Sequence, residues 1–127
     1  MTEKEAVEIA KPIVKQVVDA LSKRRYQDIC HYAKLYQISQ QTLQETIEEY
    51  LTLNGLPYID AFDVDCNLYP NYDYQQLDCV VYNDGSGFTL DYALITDSNF
   101  NDLTLQMEFI WTEEDIIEAR ILDVHVL

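Results

Sequence analysis

Asp123 and His125 are the two residues of this chain whose types and spacing come nearest to an acid/base couple. Two positions apart on a strand, they point to the same face. A carboxylate beside an imidazole orients the ring and raises its basicity. Where they point depends on the last strand. Ile117, Ala119 and Ile121 would share one face, then Leu122, Val124 and Val126 share the other. If the phase never changes, Asp123 and His125 face the core, and Tyr92 or Trp111 would shape a pocket around them. A β-bulge near Ile121 and Leu122 instead turns the aliphatics inward and the pair toward water. The bulge is the energetically favoured arrangement, because burying an unpaired charge costs several kcal/mol.

Other chemistry is sparse. His31 is the second histidine, far from the first, and no HxxxH or HExxH motif joins it, so no metal is expected. Asp63-Val64-Asp65-Cys66-Asn67 opens like a calcium loop, but Leu68 stands where a glycine is required and Tyr74 where a bidentate glutamate is required. Cys30, Cys66 and Cys79 are odd in number and widely spaced, which argues against a disulfide framework or a zinc site. They read as small apolar residues in or near the core. There is no GxGxxG, P-loop, GxSxG or SxxK, so no cofactor is expected.

A binding surface is the stronger signal. The chain holds ten tyrosines. Tyr58, Tyr69, Tyr72, Tyr74 and Tyr82 lie among Asp60, Asp63, Asp65, Asp73, Asp78 and Asp84. Tyrosine offers large contact area with a polar tip and is enriched at interfaces. Set among carboxylates, it suits a basic protein surface, as an inhibitor of a cationic enzyme would need in the manner of bacterial immunity proteins.

The charge supports this. Lys and Arg number 8 against 23 Asp and Glu, a formal net charge of −15. Seven of the basic residues lie in the first 34 positions, and Arg120 is the only one after them. Such a field repels nucleic acid and anionic membranes and attracts cationic partners. It also serves solubility.

The elements that must position these residues follow from periodicity. Thr2 and Glu5 form a capping box. Ala6, Ile9, Ala10, Ile13, Val14, Val17, Val18 and Leu21 then recur at helical spacing, through Pro12, where a kink is expected. Lys23, Arg24 and Arg25 favour the negative end of the helix macrodipole. A short second helix is expected over about 26–33. A third starts after Ser39 and stops at Asn54-Gly55, where glycine takes the left-handed conformation. Beyond Pro57 the period becomes two. Phe62, Val64 and Cys66 suggest a short strand. Leu77 to Val81, Phe88 to Leu94, Leu103 to Trp111 and Ile116 to Val126 read as four clear strands, and Asn83 to Gly87 as a hairpin turn.

The chain of 127 residues is therefore expected to be a single α+β domain over 1–127, with three N-terminal helices packed on a curved antiparallel sheet of four to five strands. No run approaches the roughly 18–20 apolar residues of a membrane span, and the first residues are no secretory signal. A cytoplasmic location is expected.

The segment from Val17 to Ile29, the helix TLQETIEEYL and the endings TLQMEFIW and ILDVHVL resemble the NTF2-like (cystatin-like) superfamily, and small bacterial proteins of unknown function with this layout. The resemblance spans nearly the whole chain and implies a cone-shaped sheet around the long helix. Superfamily members include enzymes, ligand binders and interaction modules. The first reading is a non-enzymatic module binding a basic protein through Tyr58, Asp60, Asp63, Asp65, Tyr72, Asp73, Tyr74, Asp78, Tyr82 and Asp84. The alternative is a small-molecule or weakly catalytic pocket using Asp123 and His125, with Tyr92 and Trp111. A homodimer is expected if the strand from Leu103 to Trp111 exposes its apolar face.

Overall fold

A computed structural model describes residues 1–66 and 75–126. Tyr69, Tyr72, Asp73 and Tyr74 lie outside the described residues.

Helix α1, Glu3–Ser22, begins on the capping box: the Thr2 hydroxyl accepts from the Glu5 N–H at 3.1 Å, and the Glu5 carboxylate accepts from the Thr2 N–H at 3.3 Å. The helix runs through Pro12, which lies on its exposed face. Ala6, Ala10, Val14, Val17, Val18 and Leu21 form its buried stripe. It ends at Arg24, whose φ of 56° is left-handed. The Arg24 N–H reaches the Leu21 carbonyl and the Arg25 N–H the Ala20 carbonyl, the bond pattern of a Schellman stop. The three basic residues thus lie beyond the helix rather than in its last turn. Arg24 is held by Glu48, with Nε to Oε2 at 3.0 Å, and by the Pro57 carbonyl at 2.8 Å.

The second helix expected over 26–33 is a single 3₁₀ segment, Tyr26–His31. Its bonds run from residue i to i−3, as from the Asp28 N–H to the Arg25 carbonyl and the Tyr32 N–H to the Ile29 carbonyl, between the left-handed stop at Arg24 and strand β1, Lys34–Leu35. Tyr26 and Ile29 are buried, whereas Cys30 is exposed, against the expectation for the cysteines. Helix α2, Gln40–Leu53, starts on Ser39, whose hydroxyl accepts from the Thr42 N–H, and ends at Gly55 with φ of 64°. Leu43, Ile47 and Leu51 face the core.

Strands β2 (Leu77–Val81), β3 (Gly87–Thr96), β4 (Asn99–Glu113) and β5 (Ile116–Val126) form an antiparallel meander. The fifth strand is β1, which pairs in parallel with β5. The sheet is therefore mixed, in the order β1-β5-β4-β3-β2, and open rather than closed into a cone. Residues 62–66 are not a strand. The Phe62 N–H is taken by the Asp19 carboxylate of α1 at 3.0 Å, and Asp63 is paired with Lys15 at 2.6 Å, so this stretch is tied to the helix instead of the sheet.

Two α-helices and the 3₁₀ segment thus pack with one face of a five-stranded sheet. Leu103, Leu105, Met107 and Phe109 of β4 are wholly buried there, and Phe88 stacks on Phe109 with ring centroids 4.8 Å apart. Burial of each such side chain contributes about 1.5–3 kcal/mol. The apolar face of β4 is thereby core, and the exposed version of it that a homodimer was expected to use is not there.

Candidate functional site: the outer face of the sheet

The phase change in β5 is a bulge. Gln106 pairs with Asp123 and Met107 with Ile121, so Leu122 is the extra residue. Ala119, Ile121 and Val124 are buried in the core, and Asp123 and His125 stand on the opposite face. The inward arrangement of this pair does not occur. His125 and Asp123 side chains are 36% and 50% exposed. His125 Nδ1 lies 3.3 Å from Asp123 Oδ2 without the alignment of a hydrogen bond. The other Asp123 oxygen accepts from the Val124 N–H at 2.9 Å.

Register then brings together residues remote in sequence. Asp78 of β2 pairs with Asp91 of β3, Asp91 with Gln106 of β4, and Gln106 with Asp123 of β5. Opposite side chains of this kind sit about 5 Å apart at Cβ, and like charges there repel. Beside this row runs a second, in which Ala93 pairs with Thr104 and Thr104 with His125. Thr104 is 2% exposed, and neither its hydroxyl nor His125 Nδ1 makes a hydrogen bond. Among the described residues, no Lys or Arg forms an ion pair with Asp78, Asp91 or Asp123. Asp91 is exposed, but partial desolvation by its neighbours raises its carboxyl above the ordinary range; His125 opposes this and Asp78 adds to it.

The one arginine of the sheet is engaged elsewhere. Arg120 is shared between Glu118 at 2.5 Å and Glu108 at 3.3 Å, and its guanidinium lies 4.5 Å from the centre of the Tyr36 ring. The Tyr82 hydroxyl donates to the second Glu108 oxygen. Burial, then this bond, raises the Tyr82 phenol to about 12, so it stays neutral. Between the acid row and this network lies Val80, 58% exposed.

The described members of the cluster between Tyr58 and Asp84 are dispersed. Asp60 is 6% exposed, and its carboxylate accepts from the Ser98 N–H at 2.7 Å, bracing the β3–β4 turn. Asp97 and Ser98 in that turn both have positive φ, as a two-residue hairpin requires. Asp84 turns inward on its own hairpin, accepting from the Ser86 N–H and hydroxyl, and those bonds lower its carboxyl. Tyr58 and Asp65 are exposed, and Asp63 faces Lys15. Of the described members, Asp78 and Tyr82 reach the outer face. Tyr92 is buried, stacks on Phe62 and accepts from Gln76 Nε2 at 3.0 Å. It pairs with Leu105, six residues along β4 from Trp111, roughly 20 Å at strand rise. Tyr92 and Trp111 therefore do not share a pocket.

His31 is exposed on the 3₁₀ segment. Cys66 and Cys79 are buried, and burial raises the Cys79 thiol to about 11, which keeps it protonated and unreactive. Among the described residues, no three of His, Cys, Asp and Glu are placed to hold a metal ion, and no helix is long and apolar enough to cross a membrane.

An open α+β sheet with an acid-bearing outer face is the class these features define. Residues 18–127 match the family model described as Domain of unknown function (DUF7668), and the chain belongs to that family. No curated protein and no solved structure matches it.

Proposed function

We propose that this protein is an acidic interaction module that docks a basic protein on the outer face of its sheet. The observation that carries the reading is the cross-strand row Asp78, Asp91, Gln106, Asp123. Two aspartates directly opposite each other are unfavourable in a sheet, and a cationic partner removes that repulsion on binding. The net charge of −15 steers such a partner toward the protein at low ionic strength. Inhibition of a cationic enzyme, as by bacterial immunity proteins, is the most specific form of the role. The odd number and wide spacing of the three cysteines support placing it in the reducing cytoplasm. The order of long helix, short helical segment, second helix and consecutive strands supports an NTF2-like relationship for the scaffold.

The test is affinity capture from the source cell at low salt with three baits. One is the native chain. One is Asp78→Asn/Asp91→Asn/Asp123→Asn. One is an equal-charge control, Glu8→Gln/Glu45→Gln/Glu49→Gln, at exposed positions away from the row. The native and control baits should retain the same basic protein, with binding that weakens as salt rises, and the row variant should lose it at least about tenfold, or 1.4 kcal/mol. Equal retention by all three, or salt-insensitive binding, contradicts the reading.

A second reading rests on the 3.3 Å approach of His125 to Asp123, an acid/base couple on an open face. It requires turnover of a small substrate that His125→Asn abolishes.

A further inference from the structure

The end of the sheet opposite the β3–β4 turn carries a feature the acid row does not explain. Trp111, the chain's single tryptophan, is half-buried where β4 runs out beyond the core. A cleft of about 330 Å³ lies against it, walled by Tyr82 and Val81 and by Asn83 and Gly85 of the β2–β3 hairpin, with Met1 closing one side. That volume is within the range of a site for a small group. A second, shallower depression of about 340 Å³ is lined by Trp111 and by Thr112, Glu113, Glu114 and Asp115 of the β4–β5 turn. One indole is thus common to an aromatic cleft and to a rim of three exposed carboxylates. Tyr82 is fixed by its bond to Glu108 and remains a neutral, electron-rich ring.

We propose that this cleft is the anchor point for an arginine side chain of the basic partner. The inference rests on the docking function proposed above and names the chemical group recognised. Charge complementarity selects a cation, because the neighbouring depression, which shares Trp111 with the cleft, carries carboxylates in three successive positions and the chain's net charge of −15 repels an anion. The cleft selects guanidinium over ammonium. Guanidinium is planar, weakly hydrated and able to stack on an indole face while its N–H fork reaches carboxylates. Ammonium is a strongly hydrated point charge and gains less from stacking on an aromatic ring. Tyr82 belongs both to the outer face and to the cleft, so the cleft adjoins the outer face at this end of the sheet.

Trp111 reports on its own site, since it is the only indole. The test is a titration of its fluorescence at low salt with a capped tri-arginine peptide, and in parallel with tri-lysine and uncharged tri-citrulline peptides. Three proteins are compared: the native chain, the row variant Asp78→Asn/Asp91→Asn/Asp123→Asn, and the rim variant Glu113→Gln/Glu114→Gln/Asp115→Asn. Asparagine tolerates the left-handed backbone of Asp115, whose φ is 63°, so the rim variant keeps the turn. Expected is a saturable change with tri-arginine, at least tenfold weaker with tri-citrulline, weaker with tri-lysine, and lost in the rim variant. Absence of a saturable change, an equal response to citrulline or lysine, or full response in the rim variant overturns the proposal. The row variant should still respond to tri-arginine. If it fails in protein capture yet responds here, the outer face and the cleft are both supported. If it captures the partner normally and responds here, the outer-face reading falls and the cleft stands.

Discussion

Asp91 combines a desolvation cost and a like-charged cross-strand neighbour in one side chain. It is flanked across the strands by Asp78 and Gln106, and partial desolvation raises its carboxyl above the ordinary range although the side chain is exposed. A carboxyl whose folded pKa exceeds its unfolded one binds protons more tightly in the native state. Its ionisation therefore costs native stability as pH rises through the unfolded and then the folded pKa. Asp91→Asn is expected to raise the urea midpoint at pH 7, with the gain vanishing near pH 3, where both states are largely protonated, roughly one unit below the ordinary aspartate value. A lower midpoint at pH 7 would show that Asp91 contributes structure. Gly87 represents the opposite case. A Cβ there would meet the Phe109 carbonyl oxygen at 1.9 Å, well inside contact distance. Gly87→Ala is expected to cost about 3 kcal/mol or more, among the larger effects of a single substitution, as read from chemical denaturation. Asp60 lies between these extremes. Asp60→Ala leaves the Ser98 N–H without its acceptor and is expected to cost about 1–3 kcal/mol.

At the scale of elements, the signals legible in the sequence were those written in local chemistry. Thr2 with Glu5, Ser39, and Asn54-Gly55 set helix ends through caps that need no distant partner. The bulge in β5 was legible because Ile121 and Leu122 compete for one face, and Val124 decides the outcome by burial. Leu122 is the inserted residue, so deleting it leaves Ile121 inward, Asp123 outward and Val124 inward in plain alternation. That deletion is expected to fold, with slow amide exchange preserved in β4 and β5. Loss of that protection would mean that the bulge itself is required. Other elements were not legible because they depend on pairing. β1 is two residues long, without periodicity, and exists through its parallel register with β5. Phe62, Val64 and Cys66 alternate like a strand, but Asp19 and Lys15 of α1 take their backbone and side-chain partners. The short helix expected over 26–33 is tighter and shorter than an α-helix, and nothing local in the sequence marks this, since the left-handed Arg24 before it is neither glycine nor asparagine. Arg24 is held there by Glu48 and the Pro57 carbonyl.

For the whole molecule, the acidic imbalance was plain in the sequence, but its address was not. The run of tyrosines and aspartates from Tyr58 to Asp84 suggested one patch, and folding sends Asp60 into a buried turn contact, Asp63 to Lys15 and Asp84 to Ser86. The row that does form joins positions 78, 91, 106 and 123, which only strand register can align. The central claim behind the proposed docking face is that this row costs the free protein stability. It can be tested without knowing the partner, by comparing urea denaturation of the native chain and Asp78→Asn/Asp91→Asn/Asp123→Asn at low and high salt. The row variant should be more stable at low salt. A relief of about 1 kcal/mol moves the midpoint up by about 0.5 M at an ordinary urea dependence, and the difference should shrink at about 1 M salt, where screening acts within about 3 Å. A row variant no more stable than the native chain, or a difference indifferent to salt, would show that the aspartates do not strain the fold and would contradict the account.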